Sequence, residues 1–467
     1  MQSRLKFDSI RSVLIALLAF LLVPAFGSGP ARANQGGGDA PVIADYYKKP
    51  ASSPKKTTGT SPKKAGTKKV TPARGPGSIV RRVVRIPRES APSGMPPEGE
   101  SRFANEQVIV RYRLSARQGS MDALVRRLNL LHLGGRTFTL AGVTVHLYQI
   151  VDGTPVREVI AALEADPTVV AAQPNYLYEL SQTAGASALG SQYALQKLEV
   201  APAHELATGS GVPVAVIDSM IDTSHPEFQD ATIALIDAAD GADGDAHPHG
   251  TSIAGVIAAH GTLVGVAPGV RLIGIRAFLP DEAGGEGAHG TSWRILTALE
   301  EAARAGARVV NMSFAGPEDP LVGASVSGAI KRGMIAVAAA GNGGPDAKPL
   351  YPAAYPGVVA VTAIDKDDAI YARANRGAYV TFAAPGVDIL VPAPNGTYQV
   401  SSGTSIAAAH ISGLAALLLS RDQALAASRV AEILAASAVD LGDAGRDAVF
   451  GAGLPHALAA IKATSQD

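Results

Sequence analysis

The sequence predicts an α/β protein built on a doubly wound, mostly parallel sheet, preceded by a small α+β domain of the ferredoxin-like type. Continuous apolar runs such as residues 212–217 are typical of parallel strands that are buried on both faces. After about residue 193, strand patterns alternate with helix patterns, as in doubly wound sheets. An apolar content of 47% over 467 residues supports a large core and two to three domains.

The small domain is predicted over residues 101–180. Apolar patterns predict strands at 107–112, 143–150 and 169–178 and helices at 121–131 and 156–165. The first helix has Leu124, Leu128 and Leu131 on one side. A further strand at 136–140 would complete a β-α-β-β-α-β order.

The larger domain is predicted over residues 193–467. Its strands are expected at 212–218, 271–278, 307–313, 334–340, 358–364 and 379–383, and its helices at 251–259, 291–305, 322–332, 404–420 and 428–436. In such sheets, sites lie at the carboxyl ends of the strands. Residues 181–192 join the two domains and are mostly small, which is typical of an exposed segment that is readily cut.

The first 100 residues carry a targeting pattern and a linker. Basic residues, an apolar run at 13–26 and Ala31-Arg32-Ala33 predict a signal peptide over 1–33, and therefore an exported protein, secreted or periplasmic. The apolar run is short for a membrane span, and a retained anchor is the alternative. Residues 34–100 repeat Ser-Pro-Lys-Lys and predict a disordered linker.

Charge and cysteine content narrow the function classes. The formal net charge is zero, but residues 46–85 hold eight Lys and four Arg and no acidic residue. This stretch is either a solvated tether or a weak contact to an anionic surface, and we expect no nucleic-acid partner. The absence of cysteine excludes disulfides, thiol catalysis and cysteine metal sites.

Four polar residues stand where such a sheet places its chemistry. Asp218 ends an apolar strand, Asn342 follows another, His249 precedes a Gly-Thr turn, and Ser405 begins a small-residue helix. A carboxylate can orient an imidazole that activates a hydroxyl, and a neutral amide can donate to an oxyanion. Taken singly, each residue has another interpretation, such as a turn-forming Asp or Asn, or a metal pair of His247 and His249.

In order and spacing, these residues and their neighbours resemble the subtilisin-like serine proteases. The resemblance covers about residues 193–460. It rests on Val216-Ile217-Asp218-Ser219, His249-Gly250-Thr251, Val310-Asn311-Met312-Ser313, Ala339-Ala340-Gly341-Asn342, Ala384-Pro385-Gly386 and Ser402-Gly403-Thr404-Ser405. The chain order Asp, His, Ser is that of subtilisin.

The resemblance implies a serine endopeptidase that acts on proteins or peptides. We expect it to need no cofactor and to bind no metal. Ser405 would be the nucleophile, His249 the general base, and Asp218 the residue that orients it. Asn342 would assist the oxyanion hole. The remaining residues implied to bind substrate are the backbone-pairing Ser313, Phe314 and Ala315, and the primary-pocket residues Ala339, Ala340, Gly341 and Leu350.

The domain at 101–180 resembles the inhibitor-type propeptide of the same proteases. The protein would then be a self-processing precursor whose own prodomain blocks the cleft until the joint at 181–192 is cut. An alternative of another class is a catalytically silent binding or chaperone protein with the subtilisin fold.

Several positions depart from the family pattern. Met220 and Ala315 stand in place of glycines, so the backbone at Met220 is expected to differ. Leu350 replaces a small residue, which predicts a shallow primary pocket for small or medium apolar side chains. The segment 260–264 is too short for the family's calcium loop, so Glu227 is expected to have lost its likely partners.

Other charged and imidazole groups are expected to be structural. The acidic cluster at Asp237, Asp240, Asp243 and Asp245 is predicted to be a solvated loop. His225 and His410 lack the strand-end position of a catalytic histidine, so both are predicted to support the fold.

Overall fold

A computed structural model describes residues 93–180, 183–184, 192–239, 241, 247–281 and 287–464. The predicted signal peptide at 1–33, the basic stretch at 46–85 and most of the predicted linker lie outside the described residues.

The small domain has the predicted β-α-β-β-α-β order. Its elements are β1 (Phe103–Tyr112), α1 (Gln118–Arg127), β2 (Leu130–Phe138), β3 (Val143–Ile150), α2 (Val156–Glu164) and β4 (Val169–Glu179). The strands form an antiparallel sheet in the order β2-β3-β1-β4. The ferredoxin-like expectation therefore agrees with the structure.

The boundary between α1 and β2 was predicted wrongly. The helix ends at Arg127, and Leu131 belongs to β2, which begins six residues before the predicted strand at 136. Asn129 adopts a left-handed backbone with φ 47°, which stops the helix. The leucine periodicity of the helix runs on into the strand and concealed this break.

The small domain's sheet contributes to two cores. On one face, Val108 and Val110 pack with α1 and α2. On the other, Ile109 and Val145 pack with the larger domain. Because successive strand residues point to opposite faces, the nearly continuous apolar run in β1 supplies both cores.

The larger domain is built on seven parallel strands. These include β6 (Pro213–Asp218), β7 (Thr232–Asp237), β8 (Arg271–Arg276), β11 (Val309–Met312), β12 (Ile335–Ala339), β13 (Val359–Ile364) and β14 (Val380–Pro385). Their order is β14-β13-β12-β11-β6-β8-β7. All six predicted strands are present, and the doubly wound parallel fold is confirmed.

The edge strand β7 was not predicted, because its residues are mostly exposed. Asp237 ends this strand and does not lie in a solvated loop, contrary to expectation. Its carboxylate accepts hydrogen bonds from Nε of Arg276 at 3.0 Å and from a terminal guanidinium nitrogen at 2.8 Å, which lower the pKa of Asp237 to about 2. Asp240, Asp243 and Asp245 lie outside the described residues.

Helices cover both faces of the parallel sheet. They are α3 (Tyr193–Lys197), α4 (Val200–His204), α5 (Pro248–Ala258), α6 (Ser292–Arg304), α7 (Pro320–Lys331), α8 (Thr404–Arg421), α9 (Ala427–Ala436) and α10 (Ala457–Ala463). One core contains α5 and α8, and the other contains α6, α7 and the face of the small domain's sheet that carries Ile109 and Val145. The small domain therefore sits over α6 and α7.

The helix α8 runs through the centre of the larger domain. Among the described residues, it alone is long and apolar enough to cross a membrane, yet 89% of it is buried in the protein. Small residues permit this central position: a Cβ on Gly413 would lie only 2.6 Å from Cβ of Val266.

Further strands complete the sheets, and one of them joins the small domain to the larger one. The remaining strands are β5 (Thr183–Ala184), β9 (Leu279–Pro280), β10 (Ala288–Thr291), β15 (Ile389–Ala393), β16 (Thr397–Ser402), β17 (Ala438–Val439) and β18 (Leu454–Pro455). β10 pairs antiparallel with β4, so the small domain's sheet continues into the larger domain as β2-β3-β1-β4-β10-β9. β5 pairs antiparallel with β16.

Candidate active site

Asp218 and His249 meet at the carboxyl end of β6. Nδ1 of His249 lies 2.8 and 2.9 Å from the two carboxylate oxygens of Asp218, and both side chains are buried. Since an ionised carboxylate only accepts hydrogen bonds, Nδ1 carries the proton and Nε2 is left as a base. The backbone N–H and Oγ of Ser219 also donate to Asp218, at 2.8 and 3.1 Å. The imidazole is thus held in one tautomer.

The start of α5 fixes the position of His249. His247 is its N-cap, and Nδ1 of His247 accepts a hydrogen bond from the backbone N–H of His249 at 3.2 Å. Met220 is not among the described residues with positive φ, so its replacement of glycine causes no left-handed strain. The Met220 carbonyl instead accepts from the backbone N–H of His247 at 3.1 Å.

Ser405 is the second residue of α8, at the positive end of the helix dipole. Its Oγ donates to the carbonyl of Ser313 at 3.3 Å, and its own carbonyl accepts from Oγ of Ser313 at 3.0 Å. Nε2 of His249 is buried and makes no hydrogen bond within the described part of the chain. The structure therefore joins Asp218 to His249 but does not join His249 to Ser405 by a hydrogen bond. Catalytic hydrogen bonds are often looser in unliganded sites.

A buried network of polar side chains holds Ser313, the hydrogen-bond partner of Ser405. Nδ2 of Asn311 donates to Oγ of Ser313 at 2.8 Å, and Oγ of Ser412 donates to Oδ1 of Asn311 at 2.9 Å. The sequence pattern did not predict this role for Asn311 or Ser412. Ser412 lies two helical turns after Ser405, so both hydroxyls are on the same face of an apolar helix. That spacing was the signal in the sequence that could have indicated a role for Ser412.

Asn342 is oriented by Thr404. Oδ1 of Asn342 accepts from the backbone N–H of Thr404 at 3.1 Å and from its Oγ1 at 2.9 Å. Oγ1 of Thr404 also accepts from the backbone N–H of Gly341 at 3.2 Å. Because the amide oxygen is held in this way, the direction of the NH₂ group is set. This positioning role of Thr404 was missed, although the residue is part of the serine motif.

The segment of Ser313, Phe314 and Ala315 pairs with an extended stretch of the same chain. The backbone N–H of Glu179 donates to the Ala315 carbonyl at 2.9 Å, and the Ala315 N–H donates back at 3.1 Å. Phe314 is buried, with its ring edge-on to Tyr178 at 5.8 Å between centroids. Alanine at position 315, which stands in place of a glycine, therefore still allows backbone pairing.

Ala339, Ala340, Gly341 and Leu350 lie together beside Asn342. Gly341 has φ 114°, and a Cβ at this residue would lie 2.9 Å from Cδ1 of Leu350. The leucine side chain thus occupies space directly against the Gly341 backbone. This position supports the predicted shallow pocket.

Glu227 has several partners, contrary to expectation. Its buried carboxylate accepts hydrogen bonds from the backbone N–H groups of Gly261, Thr262 and Leu263 at 2.9–3.1 Å, and from the hydroxyl of Tyr398 at 2.6 Å. The described residues contain no group of three or more His, Cys, Asp or Glu side chains that could hold a metal ion. A shortened loop, folded so that its N–H groups face the acid, surrounds this carboxylate.

His225 and His410 bond to the backbone. Nδ1 of His225 accepts from the N–H of Glu227 at 3.1 Å, and its Nε2 donates to the Thr397 carbonyl at 2.9 Å. Nδ1 of His410 donates to the Ile406 carbonyl at 3.0 Å, and burial lowers the pKa of His410 to about 4. These contacts agree with structural roles.

The model of the Subtilase family matches residues 209–453, which is more than half of the chain. The chain belongs to the subtilase family. This subtilase is 36% identical to a thermophilic serine proteinase of Bacillus sp. (strain AK1) over 57% of its own length and 67% of that protein. It is 34% identical to subtilisin DY of Bacillus licheniformis, over 54% of its length and 92% of that protein. The family and these relatives identify the protein as a serine endopeptidase.

A solved structure with the same fold is that of fervidolysin from Fervidobacterium pennivorans, a keratinolytic enzyme related to subtilisin. The TM-score is 0.66 with 26% identity, over 79% of this subtilase and 62% of fervidolysin. The chain therefore spans somewhat less than two thirds of fervidolysin.

Proposed function

We propose that this subtilase hydrolyses peptide bonds of proteins or peptides through Asp218, His249 and Ser405. The observation that carries the proposal is the buried Asp218–His249 pair, which leaves Nε2 of His249 as the base. A rotation about one Ser405 side-chain bond redirects its hydroxyl from the Ser313 carbonyl. Oγ attacks the scissile carbonyl as Nε2 takes its proton, and Asp218 stabilises the imidazolium. The leaving amine then receives that proton, and water hydrolyses the acyl-enzyme.

The developing oxyanion is held by the Asn342 side chain and the backbone N–H of Ser405. The hydrogen bonds from Thr404 to the Asn342 amide oxygen support this role, because they orient the NH₂ group before substrate arrives. The position of Ser405 at the start of α8 adds the favourable end of the helix dipole.

The protein is made as an exported precursor, and residues 101–180 act as an intramolecular inhibitor. The pairing of Glu179 with Ala315 supports inhibition, since it occupies the backbone that a substrate would use. The alignment with fervidolysin covers 79% of the chain, which is more than the larger domain alone contains. Export, to the periplasm or beyond, rests on the signal pattern at 1–33, and the basic linker is a weak contact for anionic surfaces.

A fluorophosphonate probe tests the proposal. The purified wild-type protein is expected to be labelled covalently and Ser405→Ala to remain unlabelled. Asn342→Ala is expected to keep the label but to lose about 10²–10³ in kcat, a loss measured for one such donor in a subtilisin. Labelling that persists in Ser405→Ala would reject the assignment of the nucleophile.

A further inference from the structure

The first turn of α8 carries Ser405 but lacks the capping side chain that usually fixes such a turn. Its N-cap residue is Gly403, which has no side chain to accept a hydrogen bond from the helix. Helix ends tend to fray when their backbone groups are not held. Since both Oγ and the backbone N–H of Ser405 are proposed to act on the substrate, this turn requires a further anchor.

Ser313 provides an anchor for the Ser405 backbone. Its Oγ lies 3.0 Å from the Ser405 carbonyl oxygen, and Nδ2 of Asn311 lies 2.8 Å from the same Oγ. A serine hydroxyl has one proton to donate. Because the carbonyl oxygen can only accept, Ser313 donates its proton to Ser405 and accepts a hydrogen bond from Asn311.

This assignment determines the orientation of the Asn311 amide. Nδ2 faces Ser313, so the amide oxygen Oδ1 faces the other neighbour, Oγ of Ser412, at 2.9 Å. Since Oδ1 can only accept, the Ser412 hydroxyl is the donor. The hydrogen bonds therefore run in one direction from Ser412, and they end at the Ser405 carbonyl.

Burial makes this order of hydrogen bonds depend on Ser412. Ser412, Asn311 and Ser313 are completely buried, and Ser405 is 2% exposed. Among the described residues, Ser412 is the donor to Oδ1 of Asn311. Without that hydroxyl, the amide gains a donor by flipping towards Ser313, whose proton would then leave the Ser405 carbonyl.

We propose that Ser412 is a positioning residue for peptide-bond hydrolysis. The hydrogen bonds leave α8 at Ser412, cross to the central strand β11 at Asn311 and return to α8 at Ser405. They thereby hold the start of the helix against the sheet. Displacement of a reacting group by about 1 Å can cost about 10² in rate, so Ser412 supports kcat without contacting the substrate. The inference rests on the proposed function, because the position of Ser405 matters only if it is the nucleophile.

Steady-state kinetics of Ser412→Ala, purified from the full-length gene, test this role. The kcat is expected to fall about tenfold while KM stays unchanged, because Ser405 moves but the substrate contacts do not. The rate of fluorophosphonate labelling should fall by the same factor, since the probe reports on Ser405 directly. Ser420→Ala on the same helix is the matched control. The Ser420 hydroxyl donates to the Leu417 carbonyl at 2.8 Å, and its loss should change neither constant.

A double-mutant cycle separates positioning from a general loss of helix packing. Asn311→Ala is expected to lower kcat about tenfold or more. In that background, Ser412→Ala should cause no further loss, because Ser412 acts only through Asn311.

A wild-type kcat in Ser412→Ala, or a change in KM alone, would overturn the positioning role. An equal loss of kcat in Ser420→Ala, or additive losses in the double variant, would also overturn it. A wild-type protein that the fluorophosphonate does not label would instead reject the proposed function.

Discussion

The shallow primary pocket that we predict depends on one side chain. Leu350 lies against Gly341, whose positive φ and lack of a Cβ let the two approach. Leu350 is not one of the residues proposed to carry the chemistry, so its replacement is expected to change substrate choice more than catalysis.

Leu350→Ala is expected to open the pocket to large apolar side chains. The kcat/KM for peptides with Phe or Leu before the cleaved bond should rise about tenfold or more, with little change for Ala. A peptide-library cleavage profile measures this, and the exposed Leu206→Ala is the matched control. A wild-type profile dominated by large aromatic or basic residues would contradict the shallow pocket.

His410 couples the stability of the larger domain to pH. The unfolded chain binds a proton to this histidine near pH 6.5, whereas burial lowers the folded-state pKa to about 4. The unfolded state thus holds more protons between these values. The stability that neutral, buried His410 contributes to the folded state is therefore complete above about pH 6.5, and it is lost as the pH falls towards 4.

For Ser405→Ala, which cannot digest itself, the free energy of unfolding is expected to fall by about 3 kcal/mol from His410 alone between pH 7 and 4. Urea unfolding across this range measures it. His410→Gln should flatten this dependence, and an unchanged pH slope would show that other groups cause the loss.

At the scale of elements, the loop between α5 and β8 surrounds a buried acid with backbone donors. Three successive residues, 261–263, direct their N–H groups at the Glu227 carboxylate. Such charge-assisted hydrogen bonds can compensate a buried acid without a cation.

Glu227→Gln is expected to destabilise the protein by about 2–4 kcal/mol, because an amide NH₂ group then faces backbone donors. Thermal unfolding in the Ser405→Ala background measures the loss, with the exposed Glu432→Gln as control. Added calcium or EDTA should leave the wild-type midpoint unchanged at this loop. Calcium stabilisation that disappears in Glu227→Gln would contradict this account.

At the scale of the whole molecule, side chains on strand β4 of the small domain form hydrogen bonds with the N-terminal ends of two helices of the larger domain. Oδ1 of Asn175 accepts from the N–H of Trp293, at the start of α6, at 3.1 Å. Nε2 of Gln173 donates at 2.9 Å to Asp319, the N-cap of α7. Burial raises the pKa of Asp319. The two domains therefore share polar contacts that each would leave incomplete alone.

Gly328 on α7 tests this interface without touching the active site. A Cβ there would lie 2.0 Å from the Leu140 carbonyl oxygen of the small domain. Gly328→Ala is expected to lower the unfolding midpoint of the uncut Ser405→Ala precursor. The mature enzyme should be unaffected, or up to about 1 kcal/mol more stable, because Ala favours helix over Gly.

The exposed Lys331→Ala on the same helix is the control, and it should change neither form. Equal destabilisation of precursor and mature enzyme by Gly328→Ala would show that the residue acts within the larger domain.

The sequence by itself determined the fold class and the residues proposed for the chemistry. Apolar runs in the parallel strands report burial on both faces, and local motifs mark Asp218, His249, Asn342 and Ser405 because each stands at the end or start of an element. The edge strand β7 escaped prediction, since its mostly exposed residues carry no apolar pattern.

Only the tertiary structure decided which distant groups meet. The contacts of Thr404 with Asn342, of the 261–263 loop with Glu227, and of Glu179 with Ala315 join residues far apart in the chain. Their partners are backbone atoms or common polar side chains, which every sequence contains. Local pattern therefore fixes what each element is, and packing alone fixes what it touches.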